Sequence, residues 1–113
     1  MTPRLATGIY VNALIRRVNQ SGGMAMVLAK GDETAGALIL ITREKGRYSG
    51  ILERALTPDG SYKWTPVFSQ TIEEESEISQ FCARRQASDP DIWIVELDIP
   101  EAARFAAEMD GAR

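Results

Sequence analysis

The sequence has no histidine and a single cysteine, Cys82. The first absence removes the commonest general base and a leading transition-metal ligand. Ser-His-Asp and Cys-His machinery cannot be assembled without it. One cysteine cannot close an intrachain disulfide, and with no histidine beside it a structural zinc site lacks its ligands. A carboxylate site for a hard cation is the metal chemistry left open. Long hydrophobic runs are missing as well. Runs such as Ala37 to Ile41 fall far short of the ~20 residues that span a bilayer. Met1 to Ile9 carries no continuous apolar stretch of the kind a secretory leader needs. Strong charge of either sign is also absent, the net value being −3. A dedicated nucleic-acid binder draws its affinity from Lys and Arg neutralising phosphates. Nucleic acid is therefore not an expected partner, although Arg16, Arg17, Arg84 and Arg85 can form a local basic patch. The expectation is a soluble cytoplasmic protein with no membrane segment, no cofactor and no metal.

What is present is ordinary for a globular chain. Of 113 residues, 44% are hydrophobic and 26% charged, which argues for one domain over 1–113 with a core from about 8 to 109. Gly8 to Ser21 reads as a helix with Val11, Leu14, Ile15 and Val18 on one stripe, Thr7 as N-cap and Gly22-Gly23 as the stop. Met24 to Lys30 is nearly all apolar, which suits a strand covered on both faces. Gly31 to Gly36 is a turn, Ala37 to Thr42 a second strand, and Lys45-Gly46-Arg47 another turn. Tyr48 to Leu56 is a third strand, closed by the turn Thr57-Pro58-Asp59-Gly60. In the fourth, Ser61 to Ser69, the residues Tyr62, Trp64, Pro66 and Phe68 share a face, and Pro66 marks an edge. Short turns between these four strands predict an antiparallel meander. Thr71 to Ala87 is a second helix with a Thr71/Glu74 capping box, acidic first turns, and an Ile78, Phe81, Cys82 stripe. Asp89-Pro90 ends it, and Ile92 to Leu97 forms a fifth strand. Pro100 begins a last helix with Ala102, Phe105, Ala106 and Met109 inward, and Asp110 to Arg113 fray. The order α-β-β-β-β-α-β-α predicts an α+β domain: a mainly antiparallel sheet of about five strands, with helices mostly on one face.

Two places hold the chemistry. Arg84, Arg85, Gln86, Asp89, Asp91 and Trp93 crowd one helix–strand junction. A forked arginine there can hold a carboxylate or phosphate, and Trp93 can floor a pocket or stack a guanidinium. The structural alternative is an arginine-capped helix end, an Asx turn at Asp89 and a core tryptophan. Arg17 joins this group if the first helix brings it near. The second place is Gly31, Asp32, Thr34 and Gly36, a turn able to present N–H groups to an anion. It is no P-loop, because it lacks the Gly-Lys-Ser/Thr ending and opens a strand. Its structural alternative is a plain connection between strands. Glu96 and Asp98 alternate on the fifth strand and read as wet-side carboxylates before they read as an acid–base pair. Cys82 reads as a small core residue. The aromatic row Tyr62 and Trp64 on an edge strand nominates a homodimer surface.

The chain also resembles a family of small, mostly alphaproteobacterial proteins, the domain-of-unknown-function family 1491. The matching pieces are Ala13 to Arg17, Gly22-Gly23, Gly31 to Ala37 and Arg85 to Glu96, of which Asp89-Pro90-Asp91-Ile92-Trp93 is the most specific. The resemblance implies a bacterial cytoplasmic single-domain protein and brings no activity or catalytic residue with it. The expected function is a non-enzymatic binding or regulatory module that self-associates. The alternatives are an enzyme or binding protein for a small anion at the Arg/Asp pocket near Trp93 and, more weakly, nucleic-acid contact through the arginines.

Overall fold

A computed structural model describes residues 6–67 and 74–109. The elements run α1 (Thr7–Gln20), β1 (Met24–Ala29), β2 (Leu38–Glu44), β3 (Arg47–Leu56), β4 (Tyr62–Pro66), α2 (Glu75–Ser88), β5 (Trp93–Asp98) and α3 (Ala102–Met109). The expected element order and the mainly antiparallel five-stranded sheet are what the chain adopts.

The meander holds for β2, β3 and β4 and fails at β1. The sheet order is β1-β5-β2-β3-β4, so β5 lies between β1 and β2, antiparallel to the first and parallel to the second. Burial explains the choice. Ile92 to Val95 is an unbroken apolar run no more than 4% exposed, as suits a strand in the middle of a sheet. The expectation that Met24 to Lys30 is covered on both faces is corrected. Met24 is 72% and Met26 57% exposed, because β1 lies at the edge of the sheet.

Side chains alternate across the sheet. Leu38, Leu40, Leu52, Trp93, Val95 and Leu97 face α1 and α3, whose Tyr10, Val11, Leu14, Val18, Ala102 and Ala106 complete one core. Ile39, Ile41, Ile51 and Ile94 face α2, which contributes Ile78 and Phe81. Among the described residues, α1 and α3 thus share one face and α2 lies on the other.

The helix ends follow local chemistry. Gly22, at φ +87°, ends α1: Gly23 N–H donates to Val18 O (2.9 Å) and Gly22 N–H to Asn19 O (3.2 Å), a Schellman closure. Thr7 is not the N-cap. Ala6 holds that position, and Thr7 is the first helical residue, buried. The Thr71/Glu74 capping box and the fraying of Asp110 to Arg113 fall on or reach positions outside the described residues, as do Phe68 and Ser69. Pro100 does not begin α3. Glu101 intervenes at φ +55°, and its carbonyl accepts the Phe105 N–H (3.0 Å). At the β2–β3 hairpin, Lys45 (φ 53°) and Gly46 (φ 80°) form a two-residue primed turn, which matches the twist of the strands it joins.

Candidate functional site

Residues 30–37 must carry the chain across the end of β5 to reach β2, and the Gly31–Ala37 turn is shaped by that crossing. Asp32 N–H donates to Asp91 O (3.0 Å) and Trp93 N–H to Ala37 O (2.8 Å). The Trp93 indole N–H donates to Asp32 O (2.7 Å). The Asp32 carboxylate folds back to accept Thr34 N–H (3.1 Å) and Ala35 N–H (2.8 Å). On the far side, Thr7 Oγ1 donates to Gly36 O (2.9 Å), and Gly8 N–H to Glu33 O (2.9 Å). The glycines are required by proximity: a Cβ on Gly31 would lie 2.1 Å from Asp91 O, and one on Gly36 2.4 Å from the same atom. The junction half of this joint is equally local. Asp89 Oδ1 accepts Asp91 N–H (3.1 Å), and Asp89 O accepts Ile92 N–H (3.2 Å). The two segments singled out in the sequence are therefore two sides of one joint, with Trp93 buried between them.

The arginines do not meet there. Arg84, Gln86 and Asp91 are exposed. Arg85 reaches from α2 to β3 and grips Glu53 with both terminal nitrogens (3.2 and 2.7 Å). The hydrogen bond to Glu53 is the main influence holding the Arg85 guanidinium above its ordinary pKa, against its partial burial. Arg17 lies across the sheet, donating to Met109 Sδ (3.4 Å) with Phe105 5.6 Å away on α3.

A denser polar cluster, which sequence patterning did not single out, ties the start of α2 to the sheet. Arg43 Nη2 pairs with Glu75 Oε1 (2.7 Å), and Arg43 Nε lies 3.0 Å from Glu96 Oε1 without hydrogen-bond alignment. The guanidinium packs on the Tyr48 ring (3.9 Å) and donates to its hydroxyl, which in turn donates to Glu75 Oε1 (3.1 Å). Burial works against the Arg43 cation, but Glu75 and Glu96 outweigh it and raise its pKa. Burial, then the bond to Glu75, pushes the Tyr48 phenol up. The cation and the neutral phenol are thus fixed in their neutral-pH forms, which makes a tether rather than a proton relay. Arg43 had a signal in the sequence: alternation places it on the same face as Ile39 and Ile41, where a charge needs partners. Burial also raises the Cys82 thiol, which leaves it a poor nucleophile. Among the described residues no group of three potential ligands could hold a metal ion, and no helix is long and apolar enough to cross a membrane.

Two further surfaces stand out among the described residues. A cleft of about 510 Å³ opens between the start of α1, residues 34–38 and the β3–β4 hairpin. Arg54 lines it, with the Tyr10 ring 4.2 Å and the Tyr62 ring 4.0 Å from its guanidinium. Thr34 and Gly36 line the opposite wall. The second surface is β1, where Met24, Met26, Val27 and Leu28 stand exposed along an edge without a charged residue.

A family model described as "Protein of unknown function (DUF1491)" matches residues 5–107. No curated protein matches significantly. The crystal structure of a DUF1491 family protein from Caulobacter crescentus CB15 is 32% identical, with a TM-score of 0.78 over 90% of this chain and 94% of that one. The NMR structure of a DUF1491 family protein from the same organism gives 32% identity and 0.77 over 92% and 94%. A solution structure of a protein from A. tumefaciens gives 30% identity and 0.72 over 88% and 89%.

Proposed function

Because the chain belongs to the DUF1491 family, whose description names no reaction, we propose a function from the molecule alone: a non-enzymatic binding module that self-associates through a sheet edge. The supporting observation is β1, six residues reading MAMVLA at the outside of the sheet. An exposed apolar edge is a template for another strand, and soluble proteins usually blunt it with charge, proline or cover. Here none of its residues is charged or proline. A second copy is the occupant that fits, because an antiparallel strand pairs with itself about a two-fold axis and presents the same apolar surface. The other edge, β4, has the weaker claim. Its Tyr62 packs on Arg54, its Trp64 leans on the core, and Lys63 stands exposed between them. A lone half-buried cysteine fits a reducing cytoplasm.

Sedimentation equilibrium tests the reading. The native protein should dimerise at or below the order of 100 µM, and Met26→Lys, at an exposed position, should weaken the dimer by about tenfold or more, ~1.4 kcal/mol, with the fold unchanged. A native protein that stays monomeric at that concentration overturns the proposal.

A further inference from the structure

Three of the four methionines fall among the described residues, in two different settings. Met24 and Met26 stand exposed on β1, two positions apart and therefore on one face of the sheet. Met109, on α3, is half-buried, and its Sδ accepts a hydrogen bond from Arg17 Nη1 (3.4 Å). A thioether meets an oxidant through a sulfur lone pair, and exposure governs the rate. On Met109 one lone pair is engaged and the approach is partly covered, whereas the two β1 side chains lie open to solvent.

The surroundings also decide what an oxidised product does. In the β1–β5 register Met24 lies opposite Asp98 and Met26 opposite Glu96. A sulfoxide oxygen is a hydrogen-bond acceptor, and so is a carboxylate, so neither side chain opposite offers it a donor. Asp98 Oδ2 already accepts Gly46 N–H (3.0 Å), and Glu96 lies against Arg43. The sulfoxide oxygen therefore stays with water. Laying a second strand against it costs the desolvation of an unpaired polar group, where the unoxidised thioether offers apolar surface.

We propose that Met24 and Met26 form an oxidation site whose sulfoxides keep two copies of the chain from pairing through β1, an inference that rests on the self-association proposed above. The oxidant is a small peroxide. The thioether sulfur attacks one peroxide oxygen, and the S–O bond forms as the O–O bond breaks. The displaced hydroxide takes the proton from the oxygen left on sulfur and departs as water. Sulfur gives up two electrons, and the peroxide takes them. The reaction occurs on the free edge, so it draws chains out of the dimer by mass action.

Hydrogen peroxide treatment of the full chain, read by peptide mass spectrometry and by sedimentation equilibrium, tests this. Met24 and Met26 should each gain one oxygen before Met109 does, and the dimer dissociation constant should rise by about tenfold or more. The double variant Met24→Leu/Met26→Leu keeps apolar side chains without sulfur, and peroxide should leave its own dissociation constant unmoved. Where that variant does not dimerise, reversal carries the same test: methionine sulfoxide reductases with a thiol reductant should return the oxidised native chain to its starting value. Met109 oxidising as fast as the β1 pair, a peroxide response in the leucine variant, or a loss of dimer that the reductases do not reverse would each overturn the assignment. A native dimer that survives oxidation of both residues overturns this inference alone. An untreated chain that stays monomeric overturns the self-association reading and this inference with it.

Discussion

The two faces of the sheet are held down by different physics. Beneath α1 and α3, Leu14, Val18, Leu40, Val95, Leu97 and Ala106 are all fully buried in one continuous core. Beneath α2, the helix contributes Ile78 and Phe81 to the core, with Cys82 half-covered, and is pinned near its two ends by Arg43–Glu75 and Arg85–Glu53. Burying a leucine side chain is worth roughly 1.5–3 kcal/mol, whereas a partly exposed ion pair is worth about 0–1 kcal/mol. The first face is therefore expected to be the more stable one, with α2 opening before α1.

Three perturbations sharpen that contrast. The largest effect belongs to the apolar face: Leu14→Ala should cost about 2–5 kcal/mol and lower the global thermal midpoint. A loss below ~1 kcal/mol in a denaturant titration would mean that this core is not the more stable one. On the α2 face, Arg85→Met should cost no more than about 1 kcal/mol. Its signature is local, faster amide exchange along Glu75–Ser88 with Thr7–Gln20 unaffected; exchange rising equally in both helices would erase the distinction. The smallest effect is acid sensitivity. The Arg43 hydrogen bond, then that of Tyr48, holds Glu75 below its ordinary value of 4.5. A folded-state pKa that is depressed stabilises above the unfolded value and is lost as pH falls through the folded one. Protection factors in α2 should therefore decline below about pH 4.5 while those in α1 hold, and Glu75→Gln should remove the difference between the helices.

Much of the fold was legible because it is local. The 3.6-residue stripe of Val11, Leu14 and Val18, the paired glycines after Gln20, and the positive-φ turn at Lys45-Gly46 each depend on neighbours in sequence. The position of β5 was not legible in the same way, because strand order is decided by burial across the whole chain. Two signs did exist: Ile92 to Val95 is apolar without alternation, and eight residues, 30–37, separate β1 from β2, more than a tight hairpin uses. The candidate site divided along the same line. The Gly31–Ala37 and Asp89–Trp93 segments stood out as separate features, but nothing in either showed that the Trp93 indole is capped by a carbonyl 61 positions earlier. Arg43 and Tyr48 find Glu75 at separations of 32 and 27 residues. Among the run of glutamates where α2 begins, no local signal marks the one that pairs.

The insertion of β5 also sets a timetable for synthesis. Met24 pairs with Asp98 and Ala25 with Leu97, so β1 has no partner until the last strand has left the ribosome. The β2–β3–β4 hairpins can close while the chain is still emerging, whereas the central slot of the sheet stays vacant until nearly the end. During that interval the uncharged MAMVLA segment is open along both of its sides, a window in which a nascent chain is exposed to pairing with the wrong strand.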